Sequence, residues 1–123
     1  MHALLVIAHG SRRAASNEEV IELAHRLASK VEGKYQHVAA GFLEMAEPDI
    51  AHTMQACIDA GATHIDVLPY FLSAGRHVVT DVPEDVRKVA AANPQLVVNI
   101  LPYVGSVPSM LDLMAGICLA ADQ

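Results

Sequence analysis

The chain has 123 residues, of which 53% are hydrophobic and only 18% charged, with no Trp and a formal net charge of -6. That length suits one domain over residues 1–123, burying roughly two thirds of its unfolded surface, and the composition excludes disorder. The acidic balance argues against nucleic acid or an anionic membrane surface as partner, since both are attracted by clustered Lys and Arg.

Residues 3–8, Ala-Leu-Leu-Val-Ile-Ala, form the continuous apolar run that a strand covered on both faces needs, and they predict the first, central strand. The run is too short, and lacks the basic leader and small-residue cleavage site, to be a secretory signal. No other run approaches membrane-spanning length, so a cytoplasmic protein is expected. His9-Gly10-Ser11-Arg12 breaks the run, and Ser16 with Glu19 predicts a capping box that opens a helix. Val20, Leu23, Ala24, Leu27 and Val31 recur at helical spacing, and Gly33 is expected to end that helix. Val38 to Leu43 reads as the second strand; Glu44 follows, and Pro48 is placed in the first turn of a helix whose apolar face carries Ile50, Met54, Cys57 and Ile58, with Gly61 as its stop. Residues 63–69 form the third strand and lead into Tyr70 to His77. Asp81 and Pro83 start a helix closed by Asn93-Pro94, Leu96 to Leu101 is the fourth strand, and Ser106 with Pro108 opens a last helix bearing Leu111, Met114, Ile117 and Cys118. Cys57 and Cys118 lack C-x-x-C spacing and are expected as buried free thiols.

Four strands alternating with four helices predict a three-layer α/β fold, flavodoxin-like, with a four-stranded parallel sheet covered by helices on both faces. In such a sheet every strand-to-helix loop leaves at one edge, which brings His9, Glu44, Arg76, His77 and Tyr103 together. With strand order 2-1-3-4, the loops after strands one and three flank the topological switch point where open α/β sheets bind ligands. Those loops carry His9 and His77. His25 falls on an outer helix face, His52 within a helix, His37 and His64 at strand starts and His2 at the terminus, where a structural or solvated role is expected. Two neutral imidazoles with a carboxylate suit a borderline divalent ion such as Co²⁺, Ni²⁺, Fe²⁺ or Zn²⁺, and leave coordination positions open. A helix N-terminus near His77 is expected to keep its imidazole neutral. Arg12, Arg13 and Arg76, three of the eight basic residues, lie within four positions of His9 or His77 and fit an anionic ligand.

His9-Gly10-Ser11-Arg12 after the first strand, Gly41-Phe42-Leu43-Glu44 with Pro48 after the second, and Pro69-Tyr70-Phe71-Leu72 through Gly75-Arg76-His77-Val78 with Asp81-Val82-Pro83 resemble the class II tetrapyrrole chelatases. The likeness is to the short, single-domain sirohydrochlorin cobaltochelatase type, and it runs from His9 to the fourth strand. It implies ATP-independent insertion of a divalent metal, Co²⁺ with Ni²⁺ or Fe²⁺ as alternatives, into a sirohydrochlorin-type macrocycle, with no nucleotide. By the same likeness His9 and His77 are the metal ligands and proton acceptors, assisted by Glu44. Ser11, Arg12, Arg13, Gly75 and Arg76 then face the substrate carboxylates, and Met45, Leu72 and Tyr103 its flat apolar face. Longer members clamp the macrocycle between two lobes, so a chain of this length implies a homodimer that rebuilds the cleft. The competing reading is a noncatalytic metal or tetrapyrrole carrier using the same histidines. A nucleotide binder is disfavoured because no strand exit carries G-x-G-x-x-G or G-x-x-x-x-G-K-[ST]. A histidine phosphatase would want Arg before His-Gly, and a hydrolase on Ser11 lacks nucleophile-elbow spacing.

Overall fold

The computed structural model describes residues 1–121, apart from the side chains of His77 and Val78. Its sheet is built outward from β1 (His2–Ala8), whose residues 3–8 are all buried, as the apolar run requires. β2 (His37–Phe42) pairs parallel on one side of β1, β3 (His64–Pro69) on the other, and β4 (Val97–Ile100) continues beyond β3, giving the order β2-β1-β3-β4. The strand order, the parallel sense and the alternation with helices agree with the sequence expectation.

Side chains of β1 divide the sheet into two faces. Ala3, Leu5 and Ile7 point to one, where they join Ile65 and Val67 of β3, Ile50, Met54 and Cys57 of α2 (Ile50–Asp59), and Val82 and Val86 of α3 (Val82–Ala92) in one buried cluster. Leu4, Val6 and Ala8 point the other way, the side covered by α1 (Ala14–Lys30), which lies over β2 and buries Ala24. A fourth helix, α4 (Ser109–Leu119), follows a short 3₁₀ turn, Val104–Ser106, and buries none of its residues.

Several boundaries move for identifiable reasons. The Ser16–Glu19 capping box does not form: α1 starts two residues before Ser16, its cap Arg13 makes no side-chain cap bond, and Arg13 N–H instead donates to Ser11 Oγ at 3.0 Å. At the other end α1 stops at Lys30, ahead of Gly33, and a turn closes through Lys34 N–H and Tyr35 N–H, both donating to Val31 O. Pro48 precedes α2 and lies outside its first turn. Asp49 is the cap, its carboxylate accepting from His52 N–H at 2.8 Å, which holds its pKa below the usual carboxylate range. Gly61 has φ +105 and stops α2 as expected. Cys57 is buried, and burial pushes its thiol up to about 11, but Cys118 is exposed, on a helix that buries none of its residues.

Candidate functional site

The exit edge of the sheet is assembled by backbone hydrogen bonds between loops that are distant in sequence. After β1, Ala8 O accepts from Leu43 N–H and His9 O accepts from Glu44 N–H, which extends the β1–β2 pairing past the last strand residue. Gly10 makes the approach possible: its φ is +95, and a β-carbon there would collide with the carbonyl oxygen of Glu44. Ser11 N–H then donates to Asn17 Oδ1 at 2.9 Å and Asn17 Nδ2 donates back to Ser11 O at 2.7 Å, tying the loop to the first turn of α1.

This scaffold brings His9 Nε2 to 3.2 Å from Glu44 Oε1, with both side chains partly exposed. His9 Nδ1 lies 3.1 Å from Gly10 O. A carbonyl can only accept, so the neutral tautomer that satisfies it carries its proton on Nδ1 and turns the Nε2 lone pair toward the carboxylate. A nitrogen and an oxygen donor each about 2.1 Å from one ion stand about 3.0 Å apart at a right angle and about 3.4 Å at the tetrahedral angle. The observed separation lies between these. The pair can therefore chelate a divalent ion, or hold one proton between imidazole and carboxylate.

After β3, Tyr70 N–H donates to Ile7 O at 2.8 Å, and the loop runs to Arg76 and the π-helical turn His77–Asp81 that leads directly into α3. Val79 N–H closes on Gly75 O at 3.1 Å. His77 thus opens this turn on the exit edge; its side chain, and the expectation of a neutral imidazole there, lie outside the described residues. Gly105 N–H donates to Phe71 O, and a β-carbon at Gly105 would strike the carbonyl of Leu72, so the loops after β3 and β4 are also joined.

Of the residues expected to face substrate, Arg12, Arg13 and Arg76 are exposed on this edge. The Ser11 N–H is taken by Asn17, and the hydroxyl oxygen accepts from Arg13 N–H, leaving the hydroxyl proton as the donor Ser11 can present. Gly75 has open space around it. Met45 and Leu72 are exposed, as are Tyr70 and Val79, while Tyr103 is half-buried. Sequence reasoning missed Asn17. Its signal was an amide at the start of a predicted helix six residues after Ser11. The remaining histidines fall where expected: His25 is exposed on α1, His52 is held by Asp49, and His2 stacks on His64 at the opposite edge with ring centroids 4.3 Å apart. Among the described residues no three His, Cys, Asp or Glu side chains gather as a metal-binding group.

The model of the CbiX family matches residues 3–116. Over 96 residues the chain is 35% identical to the sirohydrochlorin ferrochelatase of Priestia megaterium, covering 78% of this chain and 35% of that one. Over 84 residues it is 39% identical to the sirohydrochlorin cobaltochelatase of Methanococcus maripaludis, covering 68% and 57%. The chain thus spans between about a third and three fifths of the length of these relatives. In three dimensions it superposes on the sirohydrochlorin chelatase SirB of Bacillus subtilis subspecies spizizenii in complex with cobalt, with a TM-score of 0.86, 26% identity, and coverage of 96% of this chain and 50% of that one.

Proposed function

This chain belongs to the CbiX family of class II tetrapyrrole chelatases, and from that premise we propose that residues 1–123 act as one lobe of an enzyme that inserts a divalent metal into a sirohydrochlorin-type tetrapyrrole. The observation that carries the reading is the His9–Glu44 pair, 3.2 Å apart at the exit edge and held there by Gly10. Cobalt is the metal we assign. Nickel and iron accept the same nitrogen and oxygen donors, and the relatives' names divide between cobalt and iron.

Insertion of M²⁺ into the macrocycle displaces two pyrrole N–H protons, so the protein has to strip water from the ion, hold it over one face of the ring and accept protons from that face. His9 Nε2 and Glu44 hold the ion, which is the substrate here. As the ring nitrogens take the metal, the vacated imidazole accepts a pyrrole proton on Nε2, and the neighbouring carboxylate stabilises the resulting imidazolium. His77, opening the turn after β3, is assigned as the second ligand and proton acceptor. The eight carboxylates of sirohydrochlorin are met by Arg12, Arg13 and Arg76 with the Ser11 hydroxyl and the backbone at Gly75, and its flat face by Met45, Leu72 and Tyr103. No step calls for ATP or a nucleotide. One lobe supplies one wall of a cleft, so we assign a homodimer with the two exit edges facing each other, in the cytoplasm.

His9→Ala and His77→Ala are expected to abolish insertion with the circular dichroism and urea midpoint unchanged, because both positions follow the apolar strand runs of the sequence and stand outside its helical apolar pattern. Full turnover in both variants would remove them from the mechanism. Metal and tetrapyrrole binding without any acceleration of insertion in the unsubstituted protein would favour the carrier reading.

A further inference from the structure

A single peptide group connects α1 to the ring of His9. The peptide between Gly10 and Ser11 presents Gly10 O to His9 Nδ1 at 3.1 Å and donates Ser11 N–H to Asn17 Oδ1 at 2.9 Å. That peptide is trans, so its two polar groups point in opposite directions, and one plane is held by the imidazole at one end and by the Asn17 side chain at the other. Asn17 Nδ2 donates back to Ser11 O at 2.7 Å, which fixes the sense of the amide: exchanging its oxygen and nitrogen would set donor against donor and acceptor against acceptor. Asn17 is half-buried in the first turn of α1, so its own position is set by the helix. Hydrogen bonds in line polarise one another, and a Ser11 N–H held by Asn17 makes Gly10 O the stronger acceptor for a proton on Nδ1.

We propose that Asn17 is a positioning residue for His9: acting through the Gly10–Ser11 peptide, it keeps the ring proton on Nδ1 and the Nε2 lone pair turned toward Glu44. The inference rests on the role given above to His9 as metal ligand and proton acceptor. Gly10 is what makes such a hold necessary. A residue without a β-carbon lets the peptide that follows it rotate at little steric cost. Half a turn would carry Ser11 N–H to the place now taken by Gly10 O. Nδ1 would then have to accept, the ring proton would move to Nε2, and the nitrogen facing Glu44 would have no lone pair for a metal ion or a pyrrole proton. Asn17 opposes that rotation, because the rotation breaks its bond to Ser11 N–H. The partner of the remote nitrogen of a metal-binding imidazole is generally worth about 10–100-fold in metal affinity. Here that partner is a backbone carbonyl, and Asn17 stands one peptide behind it.

Two substitutions separate this role from a merely structural one. Asn17→Ala removes both bonds to Ser11, whereas Asn17→Asp keeps an oxygen that accepts from Ser11 N–H and loses only the donor to Ser11 O. Long-range proton–nitrogen correlation spectra of the full, nitrogen-labelled chain are recorded without metal at about pH 9, where an ordinary imidazole is neutral. The His9 ring is the one whose signals vanish in His9→Ala. Its proton is expected on Nδ1 in the unsubstituted protein and in Asn17→Asp, and wholly or partly on Nε2 in Asn17→Ala. Calorimetric titration with Co²⁺ alone is expected to show the His9-dependent binding weakened about 10–100-fold in Asn17→Ala and kept within about threefold in Asn17→Asp, although both variants lose stability to urea. An unchanged tautomer and Co²⁺ affinity in Asn17→Ala overturns the proposal. Equal weakening of Co²⁺ binding in the two variants, following equal losses in urea midpoint, overturns it in favour of a structural tie. Should Asn17→Ala fail to fold, loss of the Nδ1 proton in Asn17→Asp overturns it and retention supports it. Insertion of Co²⁺ into sirohydrochlorin is read on the same samples. Absence of insertion in the unsubstituted protein, with the tautomer and Co²⁺ affinities as expected, removes the chelatase reading and leaves the hold of Asn17 on His9 standing.

Discussion

Gly10→Ala perturbs the backbone that sets the His9–Glu44 distance. At φ +95 a β-carbon carries a strain of about 1–3 kcal/mol. The collision with the Glu44 carbonyl adds an overpacking term of about 1–3 kcal/mol, since the contact is with backbone that is itself bonded to His9 O. Together these predict a loss of about 2–6 kcal/mol. With a urea slope of about 2 kcal/mol/M, the unfolding midpoint should fall by about 1–3 M. If the loop escapes by moving away, the stability loss shrinks, but the Glu44 N–H bond to His9 O is lost and insertion falls instead. Gly75→Ala is the matched control: an added β-carbon there meets nothing within 4 Å, so the expected change is within about 0.5 kcal/mol. Urea unfolding and metal-insertion rates of the two variants, measured side by side, check the argument. A Gly10→Ala protein matching wild type in both would refute it.

Met54 is fully buried between α2 and the sheet, so Met54→Ala should lower stability by about 2–5 kcal/mol by urea unfolding, with the fold retained. Asp49→Ala removes the cap of α2 and should cost about 1 kcal/mol at neutral pH, the difference fading in acid as the wild-type carboxylate takes up its proton. The Tyr35 hydroxyl donates to Asp66, and burial with that contact pushes its pKa up to about 12 from an unfolded value near 10. Its contribution to stability is therefore whole below about pH 10 and disappears as pH rises toward 12. Burial alone would raise Asp66, but the bonds from Tyr35 and Asn99 and the charges of Lys34 and His2 outweigh it and leave the carboxyl low, so its contribution is present above about pH 4 and is lost in acid. Tyrosinate absorbance should show one of the three tyrosines titrating near 12, and that step should vanish in Tyr35→Phe; its persistence would assign it to another ring.

The sheet was legible because its signals are local or periodic. The unbroken apolar run of β1 required burial on both faces, and the regular alternation of strands and helices left few topologies open. The placement of His9, Glu44 and Arg76 on one edge followed from the parallel sense alone. Their approach did not. Nothing in the residue types says that Gly10 sits against Glu44 O, which depends on the register between β1 and β2, or that Asn17 takes the Ser11 N–H, which depends on where the loop passes into α1. Helix starts were misplaced for a related reason: Ser16 and Pro48 are plausible starts by propensity, and the chain used Asp49 and an uncapped Arg13 because the preceding loops fix where each helix begins. Cys118 misled most. Its surroundings are as apolar as those of Cys57, and periodicity reports that a face is apolar without reporting whether the same chain covers it.

The central claim is chelation by this chain, and anaerobic mixing of the purified protein with sirohydrochlorin and Co²⁺, without ATP, tests it most directly through the change in tetrapyrrole absorption. The account predicts insertion faster than in the protein-free control, lost in His9→Ala. A rate equal to the control with Co²⁺, Ni²⁺ and Fe²⁺ alike, under conditions where the tetrapyrrole is bound, would contradict it.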